Sequence, residues 1–376
     1  MKHLNKIIVV PDSFKGSISS AKFCEISKAA IGEIFPDAKV ITIPIADGGE
    51  GTVDAFISAV GGKKVKAVVK NPFFEDIESF YGMLPDKTAV IEMAACAGLP
   101  LAAGRENPLV TSTYGVGQLI AHAIEAGCKS IILAMGGSAT NDAGCGMASA
   151  LGVRFYDAEE KEFIPTGGTL HRIGKIDVSD VKLAVPVTAM CDIDNPLFGA
   201  QGAACVFAPQ KGADESMVEL LDDGLRHFAQ TVKSRLDLSV DGLAGGGAAG
   251  GLGAGAVCFL GARLKMGIDV LLDAADFNEH LEDADLVITG EGKIDTQSLR
   301  GKAVIGVAKR ARAKNVPVIA VVGDIGDDIE EAYELGVSGI FSINRVAVTY
   351  EKAILRSESD LYLTIENLLR FIQNII

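Results

Sequence analysis

The sequence has no tryptophan, and Phe, Tyr and Trp together make up only 6% of its 376 residues. So few rings leave little to stack a flavin against, which speaks against a flavoprotein. Seven cysteines, Cys24, Cys96, Cys128, Cys145, Cys191, Cys205 and Cys258, form no CxxC pair. Their odd number and irregular spacing exclude a disulfide framework and a zinc site. The five histidines show no HxxH or HExxH spacing, which removes the usual metalloprotease pattern. Basic runs are no longer than "KKVK" and "KRARAK", and the formal net charge is −14. A nucleic-acid partner is therefore not expected, since phosphate backbones demand clustered Lys and Arg. No apolar run reaches the ~18 residues of a membrane span. "IIVV" behind "MKHLNK" is too short for an export segment. The expectation is a cytoplasmic protein that does not engage a membrane. G-x-x-x-x-G-K-[ST] is missing, which excludes a P-loop, and no G-x-G-x-x-G follows the first apolar run.

Glycine, in contrast, is abundant at 43 positions, and 48% of the chain is hydrophobic. That mixture suits an α/β enzyme with parallel strands buried on both faces, and the length suggests two domains. "KIIVV", "AKVITIPI", "ADLVITG", "PVIAVVG" and "GIFSI" read as five strands, each followed by a helical pattern. Five such units make a doubly wound parallel sheet of flavodoxin-like type, with right-handed crossovers. They occupy the two chain ends. The middle has antiparallel strand signals and then further α/β units. The expected organisation is a discontinuous domain, 1–62 plus 277–376, interrupted by a second α/β domain, 63–276.

In an open parallel sheet, ligands bind beyond the carboxyl ends of the strands. For a strand order of 2-1-3-4-5, three neighbouring ends carry "PDSFKGS" (Asp12, Ser13, Lys15), "ADGGEGT" (Asp47, Gly48, Gly49, Glu50) and "TGEGKIDTQS" (Glu291, Asp295). Carboxylates beside glycine turns can hold Mg²⁺ or accept a proton from a hydroxyl, and a lysine can neutralise a transferred phosphoryl group. In the middle segment, "MGGSATNDAGCG" follows the apolar run "SIILA". Its glycines, Ser138, Asn141 and the following helix start could cradle phosphates, although Asp142 needs a metal to accompany a phosphate. "GGGAAGGLGAG" (Gly245 to Gly255) could do the same, or could serve close helix packing. "CDIDNPLFG" contributes Asp192 and Asn195, "TSTYG" supplies donors including Thr113, and Lys211 in "PQKGA" reads as solvated. These patterns stop at metal-assisted chemistry on a small anionic substrate.

Together, "VPDSFKGS", "ADGGEGT", "GGSATNDAGCG", "DIDNPLFGAQGAACVFAPQKGA", "GGGAAGGLGAG" and "TGEGKIDTQSLRGKAVIGVA" resemble the bacterial glycerate kinase type I family, in order and across the whole chain. The resemblance implies ATP- and Mg²⁺-dependent phosphorylation of D-glycerate to 2-phosphoglycerate. It also implies that the inserted domain has a restriction-endonuclease-like core and that the active-site cleft lies between the domains. The residues expected to be catalytic are Lys15, Asp47, Asp192, Glu291 and Asp295, with Asp47, Glu291 and Asp295 also as metal ligands. Asp12, Ser13, Gly48, Gly49, Glu50, Thr113 and Asn195 would meet the substrate. Gly136, Gly137, Ser138, Asn141, Asp142, Gly250 and Gly251 would meet ATP. The oligomeric state, monomer or homodimer, stays open. Ala143, Lys293 and Val304 depart from the family pattern without removing any carboxylate.

Overall fold

The computed structural model describes residues 4–46, 48–181, 183 and 185–375. The chain divides into two compact units, Met1–Asp47 with Asp54–Gly61 and Ile268–Ile376, and Gly48–Val53 with Gly62–Gly267. Both contain parallel sheets.

The sheet of the first unit has five strands. In chain order they are Lys6–Pro11, Lys39–Thr42, Leu286–Gly290, Val318–Val322 and Gly339–Ser342. Their spatial order is 2-1-3-4-5, and every neighbouring pair is parallel. Their continuous apolar runs reflect burial on both faces, since side chains alternate along a strand. Ile7, Val9, Ile288 and Val321 pack with Phe23 and Ile31 of helix Ser20–Ile34 and with Leu361 and Ile365 of helix Ser357–Ile375. Ile8, Val10, Val287 and Ala320, which alternate with them, are buried as well. Helix Ala303–Ala313 packs on the sheet through Val304, Ile305, Val307, Ala308 and Ala311. Helix Ser20–Ile34 starts where Ser19, in extended conformation, accepts from Lys22 N at 3.1 Å, a side-chain cap that satisfies an otherwise orphaned N–H.

The second unit is built on a six-stranded sheet in the spatial order Arg263–Lys265, Val187–Met190, Ser130–Ala134, Thr88–Glu92, Asp76–Met83, Lys63–Lys70. The first four are parallel and the last two antiparallel. In this register Glu92, Ala134, Met190 and Lys265 lie in one row across the sheet. The chain segments that leave these strands therefore emerge along one edge. A small antiparallel sheet, Arg154–Tyr156, Glu162–Phe163 and Lys175–Asp177, accompanies helix Glu215–Leu236. Phe155, Leu225, Phe228 and Phe259 belong to the core beneath it. Among the described residues no helix is long and apolar enough to cross a membrane.

Candidate active site

In the first unit, pairing of Pro11 with Gly290 sets the next residues of both strands, Asp12 and Glu291, side by side. Asp12 N donates to Gly290 O at 2.8 Å, and Asp12 Oδ1 accepts from Ser13 N at 2.6 Å. Glu291 is only 7% exposed, and its Oε1 is buried with no hydrogen-bond partner. Burial pushes its carboxyl up to about 7. The Ser298 hydroxyl opposes this, while the charges of Asp12 and Asp295 add to it. Asp295 lies in the turn that follows, where Oδ1 accepts from Gln297 N at 2.9 Å and Ser298 N at 3.3 Å. Lys15 is exposed in the turn after the first strand. Asp47 lies outside the described residues. Among those described, no three His, Cys, Asp or Glu side chains are grouped so as to hold a metal ion.

In the second unit, Gly48 and Gly49 pack directly on the loop after strand Ser130–Ala134. Gly136 N donates to Gly48 O at 2.8 Å, and a Cβ on Gly136 would lie 2.8 Å from Gly49 Cα. Only glycine permits that approach. Buried Glu92 holds the same turn, its two oxygens accepting from Gly51 N and Val53 N at 3.0 Å each. Glu50 is exposed at the turn's tip. Glu92 escaped the sequence reading because it looks like an ordinary last residue of a strand.

The 136–146 loop is stapled from within. Asp142 is fully buried and accepts from Thr113 N and Oγ1 at 2.8 Å each, Gly144 N at 3.1 Å and Gly146 N at 3.2 Å. Burial raises its pKa, and these four donors pull it back. Thr113 Oγ1 also accepts from Met147 N at 2.9 Å. Thr113 and Asp142, expected at the substrate and at the nucleotide, are both engaged here. Their hydrogen bonds are spent on the loop itself. Gly250 and Gly251, at φ 68° and 89°, are buried against this loop, and a Cβ on Gly250 would clash with Thr140 O. Both are in close backbone packing there, and Gly251 N donates to Gly247 O at 3.3 Å. Ala143 takes φ 52° in the same turn, a conformation that favours glycine.

Lys211 overturns its solvated reading. It is 2% exposed, and its Nζ donates to Ser138 Oγ at 2.8 Å and Thr140 O at 2.7 Å. Burial lowers its pKa to about 7, with Asp142 acting in the opposite direction. Asn141 is fully buried, while Gly137 is left at φ 75° at the loop's exposed tip. Asp192 Oδ1 accepts from Gly267 N at 2.7 Å, and Asn195 Nδ2 donates to Gln201 O at 2.8 Å.

Comparison with known proteins decides what these features belong to. The glycerate kinase family profile matches residues 7–373. The chain belongs to the glycerate kinase family. It is 45% identical over 368 residues to a glycerate kinase of Bacillus cereus, covering 96% of this chain and 97% of that one. It is 43% identical over 353 residues to a glycerate 2-kinase of Escherichia coli strain K12, covering 93% of each. A crystal structure from Salmonella typhimurium LT2, described as a candidate glycerate kinase 2, superposes with a TM-score of 0.88 at 40% identity and 99% coverage of both chains. This family member is an enzyme, a kinase that uses ATP. As a kinase it needs acids for metal and proton, donors for phosphate and a site for its acceptor. Asp12, Glu291 and Asp295 lie in the first unit, and Asp192, the glycine turns and buried Lys211 in the second.

Proposed function

We propose that this kinase transfers the γ-phosphoryl group of ATP to the 2-hydroxyl of D-glycerate, releasing 2-phosphoglycerate and ADP. The observation that carries the reading is Glu291, a buried carboxyl at the end of a central parallel strand, with a partnerless oxygen and a pKa of about 7. A group so tuned accepts a hydroxyl proton near neutral pH. The 2-hydroxyl as acceptor is supported by the relative named glycerate 2-kinase. The 2-1-3-4-5 order supports a flavodoxin-like first domain, 1–62 with 277–376. We read 63–276 as the inserted domain with a restriction-endonuclease-like core, and the enzyme as cytoplasmic.

The donor chemistry fits Mg²⁺. Buried Glu291 Oε1 has no partner, and the negative potential of Asp12 and Asp295 there is opposed by the charge of Lys302, so the oxygen-rich corner suits a hard, oxygen-seeking ion. Asp47 and Asp295 would hold the ion beside Glu291, and when bound it would neutralise charge on the phosphates. Glu291 orients the glycerate hydroxyl and takes its proton. Lys15, exposed on the turn after the first strand, would offer positive charge to the transferred group. Asp12, tied to Gly290 and Ser13, gives the edge of the acceptor site a fixed carboxylate. Gly136, whose own N–H is held by Gly48 O, shapes the turn, and Gly137 and Ser138 would offer the donors to the nucleotide phosphates.

The test is ADP release from MgATP and D-glycerate by the full-length protein, with product passed to enolase without a mutase. Immediate enolase consumption is the expected result. ADP release with a product that enolase ignores would move the acceptor to the 3-hydroxyl. No ADP release would refute glycerate as substrate.

A further inference from the structure

Three buried polar groups in the second unit are left wholly or partly without hydrogen-bond partners. Lys211 donates two N–H bonds, to Ser138 Oγ and Thr140 O. An ammonium has three donors, and among the described residues the third meets no acceptor. Thr140 and Asn141 are both 0% exposed, yet Thr140 Oγ1, Asn141 Oδ1 and Asn141 Nδ2 have no hydrogen-bond partner. Folded proteins rarely tolerate this, because each such group has given up its bonds to water. Loose packing does not explain it. A Cβ on Gly250 would lie 2.6 Å from Asn141 Cα and one on Gly167 3.2 Å from Asn141 O, so the backbone is clamped. Nor is the loop poorly satisfied in general, since neighbouring Asp142 accepts from Thr113, Gly144 and Gly146. The deficit is confined to one lysine N–H, one hydroxyl and one carboxamide.

We propose that Lys211, Thr140 and Asn141 form an oxyanion site that binds either a nucleotide phosphate or the carboxylate of the acid substrate. The proposal rests on the kinase reading for the identity of those ligands. A buried lysine bonded to the backbone of Thr140, with an unpartnered hydroxyl on Thr140 and an unpartnered carboxamide on the next residue, makes the segment donor-rich, and charge-assisted bonds to an oxyanion are the strong ones. Ser138 Oγ, already accepting from Lys211, orients the ammonium. A cationic or apolar ligand would leave the lysine's third N–H unmet.

The test measures equilibrium binding of ADP, inorganic phosphate and D-glycerate, each alone, to the wild-type full chain and to its variants, together with their unfolding midpoints. Thr140→Val replaces a partnerless hydroxyl with a methyl group, so the fold should be as stable as wild type or more so. Its affinity for one ligand class should nevertheless fall by about tenfold. Weakened ADP and phosphate binding assigns the site to the nucleotide; weakened D-glycerate binding assigns it to the carboxylate. In turnover the KM of that same ligand should rise. Lys211→Met should lose the affinity further and Lys211→Arg should restore part of it. If Lys211→Met does not fold, Thr140→Val and Asn141→Ala carry the test. Should both bind all three ligands within twofold of wild type, the site is refuted and its groups are met by water. A wild-type protein that binds phosphate but never phosphorylates glycerate refutes the substrate reading and leaves the site standing.

Discussion

Substituting Glu291 by Gln separates stability from catalysis in a way that depends on pH. The carboxyl has an ordinary value of 4.5 and stands at about 7 in the folded protein, chiefly because it is buried. Each pKa unit is worth about 1.4 kcal/mol, so the charged form costs the fold about 3 kcal/mol. The sign follows from the raised value. Below the unfolded pKa the group is protonated in both states and costs nothing. As pH rises from 4.5 to about 7 the unfolded chain ionises first, and stability is lost until the folded pKa is passed. Glutamine carries no such titration. The difference in unfolding free energy between variant and wild type should therefore grow by about 3 kcal/mol in the variant's favour between pH 4 and pH 8. The contribution of the amide's own contacts is the same at every pH and cancels from this comparison. Urea unfolding in the presence of a chelator, across that pH range, measures it. Meanwhile kcat at pH 8 should fall by ~10²-fold or more, because the proton acceptor is gone. Stability curves that run parallel from pH 4 to pH 8 would refute the reasoning, showing Glu291 to be solvated or compensated.

Five further substitutions follow, with Gly242→Ala as the control. Asp142→Asn keeps the shape but cannot accept from Thr113, Gly144 and Gly146 together; it should cost ~2–4 kcal/mol by denaturant midpoint, and a change under ~0.5 would show that the carboxylate is no staple. Gly250→Ala, strained at φ 68° and clashing with Thr140 O, should lose more than ~3 kcal/mol or fail to accumulate. Gly242→Ala, with nothing within 4 Å, should stay within ~0.5 kcal/mol. Glu92→Gln loses one acceptor for the Gly51 and Val53 N–H groups and should cost ~1–3 kcal/mol, with hydrogen exchange at these two amides rising if the assignment is right. Lys15→Ala, at an exposed side chain, should change stability by no more than ~1 kcal/mol and lower kcat by ~10²-fold; intact turnover would remove Lys15 from the mechanism.

The fold was legible wherever its cause is local. "KIIVV", "LVITG" and "VIAVV" show the uninterrupted apolar character that a strand needs when helices cover both faces. All three are central strands of the first unit. Glycine-rich turns after strands were also legible, since Gly136 and Gly250 sit where backbone meets backbone. What a turn is for was less so. "DIEEAYELG" reads as a full helix, yet only Glu331–Glu334 is helical. "PQKGA" has no periodicity to place its lysine. Lys211 is drawn inside by acceptors 73 and 71 positions earlier, which no local pattern reports.

Asp142 and Glu291 show where the limit lies. Each carboxylate lies in a glycine-rich segment behind a buried strand, so a reading by motif treats them alike. Two of the donors that saturate Asp142 are N–H groups of its own turn, at Gly144 and Gly146, and two more, an N–H and a hydroxyl, come from Thr113, 29 residues away. Glu291 keeps a buried oxygen with no partner at all. The first arrangement spends the charge on structure, and the second leaves it for a ligand or a proton. A carboxylate's function in such a loop thus depends on how many donors the rest of the chain delivers to it, a quantity set by tertiary packing. Glycine spacing signals only that backbone comes close; the hydrogen bonds left unmade signal where chemistry can happen.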